Sequence, residues 1–227
     1  SKNILNDNES AKKLFLEHFG EKFIDKNNNV DRALLRDEIF KNEDKKEALD
    51  VAEDKIIKTK EISLLQEWKS YGFFQPSIEY SNNTEFILAV GKCIAFHNLQ
   101  LDIESRVHRD IIVAMAVLET GYGTSRFATE GNALFGVRSW SKDVPQMKPL
   151  AIPNAKFGVK KYKTKSASVK DMVDIVNRHS AYEGFRIERE QQVKSGKVDI
   201  HKLIDQLSKW STNPEYVDLV KNRADKI

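Results

Sequence analysis

The feature that most constrains this chain is an unbroken apolar run, Ile111 to Leu118, inside RVHRDIIVAMAVLE. At eight residues it is far short of the roughly 20 needed to cross a bilayer. A helix that is apolar around its whole circumference must be covered on all sides by other elements of the same fold. The run ends in Glu119-Thr120-Gly121-Tyr122-Gly123, where two glycines stop the helical period. The pattern therefore predicts a central buried helix with a carboxyl group at its C-terminal end. Desolvation raises a carboxyl pKa, and the negative end of a helix dipole pushes it the same way. An acid kept protonated near neutral pH can donate a proton to a leaving group. The alternative reading is a glutamate that simply reaches solvent from a helix end.

The rest of the chain arranges itself around that helix. EFILAVGKCIAFHNL precedes it with helical spacing, and NALFGVRSW follows it as a strand or loop. A stretch punctuated by Pro145, Pro149 and Pro153 comes next, and KFGVKKYKT then alternates in the manner of a strand. SVKDMVDIVNRHSAYEGFRIEREQQVK and DIHKLIDQLSKW return to helices, and TNPEYVDLVKNRADK reads as a capped final helix. The expected class is α+β, mostly α, with a small β-lobe in the middle.

Turn signals around Gly72, Pro76 and Ser81-Asn82-Asn83 divide the chain into residues 1–75, a helical N-terminal extension, and residues 76–227. In the extension, AKKLFLEHFGEKF places Leu14, Phe15, His18, Phe19 and Phe23 at helical spacing, and Asn27-Asn28-Asn29 breaks the pattern. A second helix is expected through DRALLRDEIF with Asp31 as its cap. One or two more exposed helices are expected in KNEDKKEALDVAEDKIIKTKEISLLQEW. FGEKFIDKNNNVDRALLRDEIFKNEDKKEAL is similar to a stretch of dephospho-CoA kinases, but the chain has no GxxxxGK[ST] phosphate loop and no kinase activity is expected.

Charge and cysteine usage narrow the function classes. The single cysteine, Cys93, excludes an internal disulfide framework and suits a small buried hydrophobe. His108 and His179 are isolated and at no metal-ligand spacing, so neither a metal nor a cofactor is expected. The formal charge of +3 conceals an asymmetry: residues 1–100 sum to about −3 and residues 101–227 to about +6. The excess lies in KFGVKKYKTKSASVK, where Lys156, Lys160, Lys161, Lys163, Lys165 and Lys170 occur without an acid. This strip is either a solvated strand and helix edge or a surface for an anionic polymer. It contains no nucleic-acid motif, and no nucleic-acid partner is expected. No membrane span is expected either, and the first ten residues, SKNILNDNES, are polar and show no secretory signal.

The segment LETGYGTSRFATEGNALFGVRSW resembles the catalytic segment of the glucosaminidase family, glycoside hydrolase family 73. That family typically reads A-x-x-x-L-E-S-G-W-G-x-S, then a glycine-asparagine step, then L-F-G-I-K/R. The match here runs from Ala114 to Thr124, through Gly131-Asn132, to Leu134-Phe135-Gly136-Val137-Arg138. Thr120 stands for the usual Ser and Tyr122 for the usual Trp. KFGVKKYKTKSASVKDMVDIVNRHSAY and LSKWSTNPEYVDLV follow in the order expected, so the resemblance covers roughly residues 105–227.

The resemblance implies a lysozyme-like helical core and action on the β-1,4 glycan strands of peptidoglycan, with Glu119 as general acid. It implies a setting in the cell envelope, periplasm or exterior, or in a phage virion, as for an autolysin or a phage lysin. Tyr216 matches a tyrosine near a C-terminal T-x-P-x-Y element and is the candidate orienting group, with Tyr182 second. Tyr216 is equally readable as an amphipathic core residue. Tyr122, Phe135 and Trp140 are candidate sugar platforms, although a phenylalanine in LFG also suits the core. Asn132 either binds an acetamido group or caps its loop.

Between Glu119 and Asp171 the only carboxylates are Glu130 and Asp143, so a two-carboxylate mechanism lacks an evident second member. The substrate's own 2-acetamido group could serve as internal nucleophile instead. Two alternatives stay open. One is a lytic transglycosylase or muramidase, although N-A-L-F-G-V replaces the G-L-M-Q element usual there. The other is a non-catalytic wall-binding or virion structural module.

Overall fold

A computed structural model describes residues 13, 16, 20–27, 29–31, 34, 58–67, 70, 76–152 and 154–227. The chain forms two compact units, residues 1–72 and 73–227. In the first, Glu21–Phe23 is a 3-10 turn and residues 58–67 are helical and mostly exposed. Asp25 closes the Asn-rich turn by accepting from the backbone N–H groups of Asn27 and Asn29, both at 2.8 Å. Ile24 and Val30 then face each other across an antiparallel bridge. Asp31 Oδ1 accepts from Leu34 N at 3.0 Å, in the manner of the expected cap. The rest of the expected helix through DRALLRDEIF, and Leu14, Phe15, His18 and Phe19, lie outside the described residues.

The second unit is α+β and mostly helical. Its first helix, α1 (Asn83–Asn98), is capped by Asn82, whose side chain accepts from Glu85 N, while the Glu85 carboxylate accepts from Ser81 N. This reciprocal pair satisfies donors that a helix start leaves open. The apolar run forms α2 (Arg109–Thr120), and every side chain from Ile111 to Val117 is buried. Each large one contributes about 1.5–3 kcal/mol of burial. As its all-round apolarity requires, α2 is covered on several sides, including by α1 and the last helix, α7 (Tyr216–Ala224).

Gly121 ends α2 in the left-handed conformation, φ 56°, with its N–H on Val117 O at 2.9 Å. A short helix α3 (Arg126–Gly131) leads to the β-lobe. There β1 (Arg138–Ser139), β2 (Gln146–Met147) and β3 (Gly158–Lys160) form an antiparallel sheet in the order β1-β3-β2. Arg138 pairs with Val159, and Gln146 with Lys160. Helices α4 (Lys165–Arg178), α5 (Glu183–Ser195) and α6 (Ile200–Asp205) complete the unit before α7. A 3-10 turn, Ser180–Tyr182, separates α4 from α5.

The Lys-rich strip divides between β3, the following turn and α4. Lys160 and Lys170 both find carboxylates on α4, Asp171 at 3.0 Å and Asp174 at 2.6 Å. Cys93 is buried and donates to Ser166 Oγ, 3.2 Å away, and burial pushes its thiol up to about 11. Among the described residues, no helix is long and apolar enough to cross a membrane.

Candidate active site

Glu119 is the penultimate residue of α2 and is half-buried. Burial pushes its carboxyl above the usual range, against the opposing pull of the Tyr216 hydroxyl and the Arg138 guanidinium. The turn beyond it is stiff. Thr120 Oγ1 donates to Ala116 O at 2.5 Å and accepts from Gly123 N at 2.7 Å, and Tyr80 Oη donates to Gly123 O at 2.8 Å. The LFG glycine meets the acid from the other side. Gly136 sits at φ 60°, and a Cβ placed there would stand 3.2 Å from Glu119 Oε2. Only a residue without a side chain lets the backbone approach a carboxylate so closely in this conformation.

Tyr216, the first residue of α7, is 6% exposed. Burial raises its phenol first, and the neighbouring Glu119 raises it further. The two groups therefore lie within each other's field. Hydrogen bonding between the phenol and the carboxyl favours the ionised acid and the protonated phenol, although among the described residues Tyr216 Oη meets no partner in ideal geometry. The hydroxyl thus faces the candidate acid.

An open groove of about 390 Å³ runs past Gly136, with Arg138, Trp140, His179, Tyr182 and Trp210 among its walls. Trp140 is 66% exposed and packs on Phe157 with ring centres 5.9 Å apart. Tyr182 lies between His179 and Trp210, at 5.9 and 5.6 Å, and burial pushes its phenol up to about 12. Trp210 Nε1 donates to Phe135 O at 3.1 Å and so ties the LFG turn to the chain beyond α6.

The remaining candidates are placed differently. Phe135 is 2% exposed and belongs to the core, although it also lines the groove. Asn132 ends α3 in the left-handed conformation, φ 51°, and its amide donates to the carbonyls of Tyr162 and Lys163 at 3.0 and 3.2 Å. That is the loop-capping arrangement, and it consumes the amide donors. Tyr122 is held by Arg223, whose Nη1 donates to its hydroxyl at 3.0 Å, and by Phe86 at 6.4 Å. It is not among the groove-lining residues. His179 lines the groove and also caps the 3-10 turn, accepting from Ala181 N at 3.1 Å.

Glu130 projects to solvent and pairs with Arg126 at 3.6 Å, and Asp143 sits in an exposed turn. Neither is among the groups that shift Glu119. Arg138 and Trp210 were not singled out from the sequence. Arg138 could have been, because it stands two places after the glycine that touches the acid. Trp210 could not, since its bond to Phe135 joins residues 75 apart. Among the described residues no cluster of three or more His, Cys, Asp or Glu could hold a metal ion.

Neither a curated protein nor a solved structure gives a significant match to the chain. A family model does: Glucosaminidase, described as mannosyl-glycoprotein endo-beta-N-acetylglucosaminidase, matches residues 97–227. This span covers more than half of the chain, from within α1 to the C-terminus, and contains the α2 end, the LFG turn and α7. The chain therefore belongs to the glucosaminidase family of glycosidases.

Proposed function

We propose that this protein is a peptidoglycan hydrolase, an endo-β-N-acetylglucosaminidase cutting β-1,4 bonds of the glycan strand with Glu119 as general acid. The observation that carries this reading is a carboxyl raised by burial at the end of a buried helix, set against Gly136, which lines an aromatic-walled groove. The protonated Glu119 gives its proton to the leaving glycosidic oxygen as the C1–O bond breaks. Among the described residues no carboxyl is among the groups that shift Glu119, and the 2-acetamido oxygen of the sugar forms the new bond to C1. Glu119, now ionised, then takes a proton from water as its oxygen attacks C1 and the ring formed by the acetamido group reopens. Tyr216 offers its hydroxyl to orient the acetamido group or steady the charge that develops on it.

Trp140 provides an exposed face for a pyranose ring, and Tyr182 a more enclosed one. Phe135, Asn132 and Tyr122 serve the site by holding the backbone around Glu119. We place the protein's work at the bacterial envelope, from outside the cell or from a virion.

The test is product analysis on purified sacculi. Wild type should release fragments ending in reducing N-acetylglucosamine. Glu119→Gln should slow release by at least about a hundredfold with the fold intact. Anhydro ends would convert the assignment to a transglycosylase, and unchanged clearing by Glu119→Gln would remove Glu119 from the role.

A further inference from the structure

The groove beside Glu119 carries a charge pattern that an uncharged sugar chain does not call for. Arg138, Lys160 and Lys209 line it, and no aspartate or glutamate does. Lys160 is already committed to Asp171 at 3.0 Å, a carboxylate that also accepts from Tyr162 Oη at 2.7 Å. Arg138 is different. Its pairing with Val159 on β3 brings its side chain over Phe157, with the guanidinium carbon 4.6 Å from the ring centre. Phe157 is in turn backed by Trp140. Among the described residues the Arg138 guanidinium has no hydrogen bond and no ion pair, yet its charge reaches Glu119. A guanidinium stacked on an aromatic face keeps its donors in one plane and free at the edge, the arrangement that takes a carboxylate through two parallel bonds.

We infer that Arg138 is a specificity-determining residue that reads a carboxylate on the peptide substituents of the glycan, so that anionic, peptide-bearing strands are preferred over neutral N-acetylglucosamine polymers. The inference rests on the groove being the glycan site proposed above. Trp140 and Arg138 then divide the work. The tryptophan face takes the sugar ring, and the guanidinium edge takes the charged group that hangs from a neighbouring residue. Exposed Lys209 supplies long-range attraction without fixed geometry.

The test uses soluble peptide-bearing glycan fragments free of other wall polymers, compared with the same fragments after their carboxylates are converted to amides. For wild type, kcat/KM should fall about tenfold or more on amidation, mostly through KM. Arg138→Gln should bring the ratio between the two substrates close to one. Arg138→Lys should restore only part of it, since an ammonium lacks the fork. Titration calorimetry with Glu119→Gln, which binds without turnover, should show the same tenfold preference in Kd. Equal cleavage of both substrates by wild type, or an unchanged ratio in Arg138→Gln, would overturn the inference and leave the glycosidase reading standing. Failure of wild type to cleave either substrate would instead overturn that reading, and this inference with it.

Discussion

Glu119 is held where its charged form is least welcome, and this has a measurable consequence for stability. Its folded-state pKa lies above the unfolded value, because burial outweighs Tyr216 and Arg138. A group raised in this way contributes stability that is fully present below its unfolded pKa and is lost as pH rises through the folded value. Ionising Glu119 therefore costs the native state more than the unfolded chain, a penalty felt at neutral pH and absent in acid. Glu119→Gln should raise Tm at about pH 7.5 and leave it little changed below about pH 4. A calorimetric pH series in which the variant gains nothing at neutral pH would show that the site is not desolvated enough to matter. The same raised pKa should place the alkaline limb of the kcat profile above the ordinary carboxyl range.

Tyr216 makes a parallel case with a different signature. Its hydroxyl is buried and, among the described residues, meets no partner in ideal geometry, so Tyr216→Phe should leave Tm nearly unchanged. Activity should nevertheless fall by roughly tenfold or more if the hydroxyl works on the substrate. A variant with unaltered turnover would return Tyr216 to the core.

At the level of elements, the site depends on two glycine turns that converge from separate places. Gly121 releases the chain from α2 just after the acid, and Gly136 brings the next turn to within contact of it. Gly136→Ala forces a Cβ into a left-handed position at a cost of about 1–2 kcal/mol. It should lower Tm by a few degrees and cut kcat by about tenfold or more through displacement of the Glu119 carboxyl. A variant with normal kcat would show that the carboxyl has room to spare.

Much of this layer was legible from the sequence. The apolar circumference of Ile111–Leu118 predicted a fully covered helix, and every side chain of α2 from Ile111 to Val117 is buried. The alternation in KFGVKKYKT predicted β3, and the C-terminal segment predicted α7, although no side chain caps its start as expected. What could not be read was the direction in which each polar group is spent. Asn132 gives its amide to carbonyls about 30 residues away, and the Tyr122 hydroxyl accepts from an arginine 101 residues away. In a linear reading Asn132 suits a sugar or a loop cap alike, and nothing points Tyr122 to Arg223. Spacing along the chain sets the face on which a side chain lies, but only tertiary packing decides what reaches it there.

For the whole molecule the question is where the working unit begins. The family match starts at residue 97, inside α1, whereas the compact unit starts at residue 73. The physical boundary must be the earlier one. Phe86, Val90, Cys93 and Ile94 lie on α1 ahead of the match, and all are fully buried in the same core as α2. Tyr80, further upstream, bonds the turn that follows Glu119. At about 1.5–3 kcal/mol each, loss of Phe86, Val90 and Ile94 alone would remove about 4.5–9 kcal/mol of burial, comparable to the whole stability of a domain. Residues 73–227 alone should therefore melt cooperatively and keep activity on solubilised glycan within a few-fold of the full chain. Residues 97–227 alone should show no cooperative transition. If the shorter fragment folded and cleaved, α1 would be a cover and not part of the core. If the longer one failed to melt cooperatively, the first 72 residues would have to be counted as part of the folding unit.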